Sequence, residues 1–309
     1  MLTRKTVVLA KLESTYGTDP TPDGTNDAIL VSNPDLKVDG AMLTRDYVRA
    51  SLSPISHAIG KKKVTISFET DLKGSGAAGT APETSPLWQS CGMDETIVAS
   101  TSVTYDPEAV STEVKSCTMY VYFDGLMHEI NGCRGSFSIT MEAGNFGKVS
   151  WNFEGKYVKP TDTALVTGTF DSTIPQIIQS SSFTVNSYAA TINALAFDIA
   201  NTIGSPGDVN SADGYGNMHI TGRDSNGSLD PEAVLVATED FWGDWADATG
   251  VAVTITIGAT AGNICDIDMP NIVYREIGYG DREGIRTYQI PFTAAETAST
   301  NDEISIVYT

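Results

Sequence analysis

The chain has 309 residues, 41% of them hydrophobic, with a mean hydropathy of -0.09 and a formal charge of -20. That length suits about two globular domains with a core in each. The charge argues against a free-standing nucleic-acid binder, since phosphate contacts need Lys and Arg, and no apolar run approaches a membrane span.

In chain order, residues 1–13 read as a short strand or extended arm. Arg4 and Lys5 before Thr6–Ala10 resemble the start of a signal peptide, but Lys11 and Glu13 cut the apolar run short. Tyr16–Gly24 is dense in turn formers and predicts a loop. Ala28–Val31 and Asp35–Asp39 are short strand candidates. Residues 40–62 carry few regular signals, and a loop of that length usually serves a function or wraps a partner. Val64–Leu72 alternates apolar and polar side chains, as a half-buried strand does. Ser85 and Pro86 predict the start of a short helix that runs through Trp88 to Cys91 and stops at Gly92.

Val103–Tyr105, Cys117–Phe123 and Met127–Asn131 follow as strands. Arg134–Glu142 and Lys148–Tyr157 predict a hairpin across Ala143–Gly147. Pro160, Gly168 and Ser180–Ser182 place a linker between two domains: residues 1–165, linker 166–180, and residues 181–309. In the second domain Ala194–Ile199 is a strand, and residues 204–216 are the shorter counterpart of the 40–62 loop. Thr238 is the expected N-cap of a helix Glu239–Ala248, closed by Gly250, with Trp242 and Trp245 as its core anchors. Val251–Ile257, Ile264–Met269, Ile272–Tyr279, Arg282–Phe292 and Glu303–Tyr308 complete the set.

The second half repeats the plan of the first. Gly125 set against Gly262 brings Ile130 onto Ile267, Phe137 onto Tyr274, Gly147 onto Gly284, Trp151 onto Tyr288 and Phe153 onto Ile290. Upstream, Tyr120–Phe123 answers Thr254–Ile257, and Trp88 answers Trp242 or Trp245. The charge divides unequally. Residues 1–168 hold 15 basic and 20 acidic side chains, and residues 169–309 hold 4 and 19.

Little in the chain predicts catalysis. His57, His128 and His219 are far apart, and there is no P-loop, G-x-S-x-G or G-x-G-x-x-G. Asp208–Gly214 faintly resembles a calcium loop but lacks its terminal Glu, so a polar turn is expected. Asp240, Asp244 and Asp247 share a helix face that reads as solvated. Cys91, Cys117, Cys133 and Cys265 form no C-x-x-C pair and are expected to be reduced thiols. No catalytic residue, cofactor or metal is expected.

Several stretches carry a family resemblance. Glu13–Pro22, Ala28–Val31, Gly74–Pro82, Asp230–Val234 and Gly280–Thr287 together resemble the tail tube proteins, or major tail proteins, of long-tailed bacteriophages and prophages. None is a chemical signature alone; their shared order makes the resemblance specific. It implies a mainly β chain of two tandem β-sandwich or partial-barrel domains, each with one short flanking α-helix. It also implies rings of six domains that stack into a tube, so a duplicated chain would close the ring as a trimer.

The implied inter-ring loop is 40–62 in the first domain and about 200–216 in the second. Arg45, Tyr47, Arg49, Lys61, Lys62 and Lys63 are the candidates for contacts between subunits and rings. The paired long strands are the best candidates for the inner sheet. They offer Glu142, Lys148, Glu154, Glu276 and Glu283 as lumen residues, with Arg275 and Arg282 offsetting the acids. The resemblance further implies a virion protein assembled in the host cytoplasm, with other copies of itself, a tape measure protein, a tail terminator and distal tail or baseplate proteins as partners. DNA would pass without specific binding past a wall that repels phosphates. The alternative is a β-rich capsid-decoration or adhesion module. An enzyme is the third reading, since nothing resembles a nucleophile–base pair.

Overall fold

The computed structural model describes residues 2–297 and 301–309. The fold is mainly β, with two helices of six residues each among the described residues. The first half supplies β1 (Thr6–Leu12), β2 (Ala28–Ile29), β3 (Ser32–Leu43), β4 (Ala58–Asp71), α1 (Ser85–Ser90), β5 (Met93–Val98), β6 (Ser102–Pro107), β7 (Cys117–Phe123), β8 (Leu126–Glu142), β9 (Lys148–Tyr157) and β10 (Thr161–Asp162). The second supplies β11 (Ser182–Val185), β12 (Ala194–Asp198), β13 (Asn201–Gly204), β14 (His219–Arg223), β15 (Asn226–Leu229), α2 (Phe241–Ala246), β16 (Val251–Ile257), β17 (Cys265–Tyr274), β18 (Gly278–Arg282), β19 (Ile285–Ala294) and β20 (Ser305–Tyr308).

Each half places its strands in the same antiparallel order. In the first, β3 pairs β4, β4 pairs β9, β9 pairs β8, β8 pairs β7, and β7 pairs β1. In the second, β12, β15, β19, β17, β16 and β11 follow the same path. The helix phases match as well. Trp88 of α1 packs against Phe137 and Trp151, each at 4.7 Å between ring centroids. Phe241 of α2 packs against Tyr274 and Tyr288 at 6.1 and 5.6 Å. The register adds one refinement. Phe137 faces Trp151, whereas Tyr274 faces Phe292, so Trp151 answers Phe292 rather than Tyr288, and by the same shift Phe153 answers Ala294 rather than Ile290.

Among the described residues, two strand pairings join the halves. The last residues of β8 pair β12, from Ser138 opposite Asp198 to Glu142 opposite Ala194. Strand β20 pairs β17 on one side and β6 on the other. One apolar core runs through both halves, from Val64, Ile66 and Phe68 to Ile267, Ile290 and Phe292. The second half has no counterpart of the β5–β6 hairpin, because only residues 247–250 separate α2 from β16.

Several local expectations change. Strands β3 and β4 extend through Leu43 and from Ala58, so much of the expected 40–62 loop is a hairpin arm with residues 44–57 at its tip. Helix α2 starts at Phe241, capped by the Asp240 side chain rather than Thr238. Its buried aromatic is Phe241; Trp242 is half-buried and Trp245 is exposed. Segment 163–181 forms no strand up to Ser182 but lies against the first half. Thr169 N–H donates to Gly24, and Lys73 Nζ reaches the Asp171 carbonyl at 3.0 Å.

A buried carboxylate fastens the other end of the first half. Glu13 accepts from Gly17 N–H at 2.6 Å, Ser116 Oγ at 2.6 Å, Thr118 Oγ1 at 2.7 Å and Gly132 N–H at 2.7 Å. Gly132 adopts φ +64° at a bulge in β8, and a Cβ there would stand 2.7 Å from the Tyr16 ring. Burial pushes the Tyr16 hydroxyl up to about 12.

Candidate functional site

Strands alternate their side chains between faces. One group of strands therefore buries Phe68, Trp151, Phe137, Phe197 and Phe292 and turns small polar residues outward. Their register aligns those residues in rows. One row reads Glu69, Ser150, Ser138, Asp198, Asn226 and Thr293 across β4, β9, β8, β12, β15 and β19. The next reads Asp71, Lys148, Thr140, Ala196, Ser228 and Pro291. The face is hollowed: cavities of about 470 and 250 Å³ open on it beside Ser138 and Asp198.

Most of the charge on this face is already partnered. Lys148 Nζ lies 2.6 Å from Asp71 Oδ1, and Lys63 Nζ lies 2.7 Å from Glu154 Oε2. Ser205 Oγ also donates to Glu154. Glu142 is exposed at the end of β8 and accepts from Asn145. Arg275 Nε donates to Thr293 Oγ1 at 2.7 Å. Glu276 is exposed in the break between β17 and β18, and Glu283 sits at the β18–β19 turn with φ +52°. Glu142, Lys148 and Glu154 thus belong to strands of the polar face, whereas Glu276 and Glu283 lie at its margin. Sequence reasoning missed Asp198, Asn226 and the serine rows. The alternation of Ser136, Ser138 and Thr140 was the signal available for them.

The six loop candidates divide into two groups. Arg45, Tyr47 and Arg49 lie in the exposed tip, with the Arg45 guanidinium 5.8 Å from the Tyr47 ring centre. Arg49 folds back onto the Ser53 carbonyl at 2.5 Å. Val48 and Leu52 are fully exposed there. Lys61, Lys62 and Lys63 lie on β4 instead. Lys61 stands over the Tyr215 ring at 5.3 Å, Lys62 over Tyr157 at 5.6 Å, and Lys62 N–H donates to Asp213. Residues 205–217 of the second half therefore lie over Lys61 and the Lys62 backbone and reach Glu154, the partner of Lys63, while the Lys62 side chain stays on Tyr157 of β9.

Among the described residues, no three His, Cys, Asp or Glu side chains cluster so as to hold a metal ion. Asp208–Gly214 is a turn closed on itself, with Asn210 N–H on Asp208 and Ser211 on Asp213. Cys117 lies opposite Cys133, both buried and unbridged. No helix among the described residues is long and apolar enough to cross a membrane.

A family described as phage tail tube protein matches residues 3–294. The chain belongs to the phage tail tube proteins. No curated protein matches it. A phage tail tube protein is a structural component of the virion tail that assembles with copies of itself into a tube. A match over nearly the whole chain leaves the decoration or adhesion alternative without support.

Proposed function

We propose that three chains close into one disc, that discs stack into the tail tube, and that the polar face lines its bore. The observation that carries this reading is the continuity of the face across both halves. Eight strands of one chain share it: β3, β4, β9, β8, β12, β15, β19 and the β17–β18 segment. Three chains would supply about 24 strands. At about 4.8 Å per strand, the wall measures about 115 Å around, or about 150 Å at the usual barrel tilt. The backbone diameter is then about 37–48 Å, which leaves room for a DNA duplex after side chains are subtracted. Six chains with all these strands in the wall would double that bore without need. The matching strand orders and helix aromatics support two tandem domains, which makes the disc pseudo-sixfold.

The wall chemistry suits passage of DNA. Asp35, Asp39, Glu69, Asp71, Glu142, Glu154 and Asp198 stand beside Lys37, Lys63, Arg134, Lys148, Lys156 and Arg275, a slight acidic excess, and Lys37, Lys63, Lys148 and Arg275 are already paired with Asp39, Glu154, Asp71 and Asp224. Ser, Thr and Asn fill most of the remaining positions. Such a surface offers phosphates few cations to exchange for their counterions. The exposed tip at 44–57, with Val48 and Leu52 uncovered, is the part of the chain that reaches the adjacent disc. Assembly in the host cytoplasm, around a tape measure protein and between a terminator and the distal tail proteins, completes the proposal. Cryo-electron microscopy of tubes grown from purified protein tests it. Three chains per disc with Ser138 and Asp198 facing the bore is the expected result. Six chains per disc, with the second halves outside the tube, would refute it.

A further inference from the structure

The chain contains one seam of the wall within itself, and its two open edges are shaped as the other. In the internal seam the end of β8 pairs β12, with Ser138 opposite Asp198 and Thr140 opposite Ala196. By strand order, the counterpart of β8 is β17 with β18, and the counterpart of β12 is β3. Among the described residues, β3 pairs only β4 and β18 pairs only β19.

Register fixes the equivalent positions. Ile130 and Phe137 face Met119 and Trp151; Ile267 and Tyr274 face Ile255 and Phe292 at the same seven-residue spacing. The position after Phe137 is Ser138, and the position after Tyr274 is Arg275. On the other strand, Asp198 faces Asn226, which faces Thr293 next to Phe292. Asp35 faces Ser67, which faces Asn152 next to Trp151. Asp35 therefore answers Asp198.

Both open edges carry the same irregularity at the same place. One residue, Phe197, separates Ala196 from Asp198, whereas Asn33 and Pro34 separate Ser32 from Asp35 across one partner position on β4. One residue, Ile139, separates Ser138 from Thr140. Two residues, Glu276 and Ile277, separate Arg275 from Gly278, because Arg275 N–H bonds Pro291 and Gly278 faces Gln289. An extra residue on each edge keeps two strands in step where one alone would shift them.

We propose that β3 of one chain adds antiparallel to the β17–β18 edge of the next, with Asp35 opposite Arg275 and Ser32 opposite Gly278. The partner is a second copy of this chain, and the inference rests on the ring reading above. The charges agree: Asp35 is an exposed acid, and Arg275 is an exposed base whose carboxylate contact, to Asp224 at 3.6 Å, is itself solvent-exposed and leaves the guanidinium open to a second acid. Pro34 and the bulge at Asn33, with φ +52°, blunt the β3 edge in the single chain, as edge strands require.

Two experiments test the seam. Asp35→Cys combined with Arg275→Cys, treated with a short bismaleimide in assembled tubes, should give a denaturing-gel ladder ending at three chains. The native thiols are buried and should not react. Ser138→Cys with Asp198→Cys marks the internal seam as a positive control within one chain. Tubes visible by electron microscopy that give no ladder, while the control pair cross-links, would overturn the seam and leave the tube intact. Failure of the unmodified protein to form tubes at all would instead sink the ring reading beneath it. Independently, in an Asp224→Asn background that removes the acid beside Arg275, Asp35→Arg or Arg275→Asp alone should raise the critical concentration for assembly about tenfold, and the two together should return it to within about threefold of that background. A double variant as defective as the sum of the single ones would refute the pairing.

Discussion

Replacement of Glu13 by Gln is a direct measure of what holds the first half together. Glu13 is 8% exposed and its two oxygens accept four hydrogen bonds. Oε2 takes Gly17 N–H and Ser116 Oγ, and Oε1 takes Thr118 Oγ1 and Gly132 N–H. Gln keeps one oxygen and presents an NH2 group in place of the other. A hydroxyl can turn to accept from that group, but a backbone N–H cannot. Either orientation therefore orphans one backbone donor, at Gly17 or at Gly132. An orphaned buried donor costs about 1–3 kcal/mol, and the surviving bonds lose their charge assistance. The expected loss is about 3 kcal/mol. At about 2–4 °C per kcal/mol, Tm should fall by roughly 6–12 °C. Urea unfolding of unassembled protein at neutral pH, followed by circular dichroism, gives the free energy with an unchanged m-value. A loss below about 1 kcal/mol would show that the Gln side chain finds other partners and that the four-bond geometry does not govern this corner.

Two further outcomes follow from exposed features. Replacing residues 45–56 by a two-residue turn should leave Tm within about 2 °C, since surface changes seldom exceed about 0.5 kcal/mol. It should yield discs that do not grow into tubes in negative stain, and long tubes from this variant would remove the tip from the contact between discs. Asp244 is raised above the usual carboxylate range by burial, then by Asp240 and Asp247. A raised folded-state pKa contributes stability below the unfolded value, and that contribution is lost as pH rises through the folded value. Asp244→Asn should therefore raise Tm slightly at pH 7, with the gain shrinking toward pH 4; an equal shift at both pH values would assign the change to something other than charge.

The sequence was most legible where a strand buries one face. Val64–Leu72 and the Arg134–Glu142 and Lys148–Tyr157 pair alternate cleanly, and all but Leu72 lie within β4, β8 or β9. Legibility ended where that burial ends. The arm formed by Gly40–Leu43 and Ala58–Lys62 is largely exposed on both faces, so no apolar alternation marks it. Gly132 hid the continuity of β8, because a glycine that reads as a stop is here a bulge within a 17-residue strand. Helix α2 is too short to set its own phase. Two tryptophans outweigh one phenylalanine in the sequence, yet Phe241 points inward. In the candidate site, Lys61–Lys63 read as an open cationic run, and only the folded chain brings Tyr215, Asp213 and Glu154 over them. Nothing local in β12 announces β8 as its partner, which is why Asp198 went unnoticed.

The placement of β20 sets the timetable of folding. Val103–Tyr105 form an edge that Ile306–Tyr308 cover, and roughly two hundred residues of synthesis separate the two. A growing chain that has finished its first half still presents that edge bare, with β12 also still to come as the cover for β8. The last backbone partners of the first half arrive only with the second, so two of its strand edges stay bare until then.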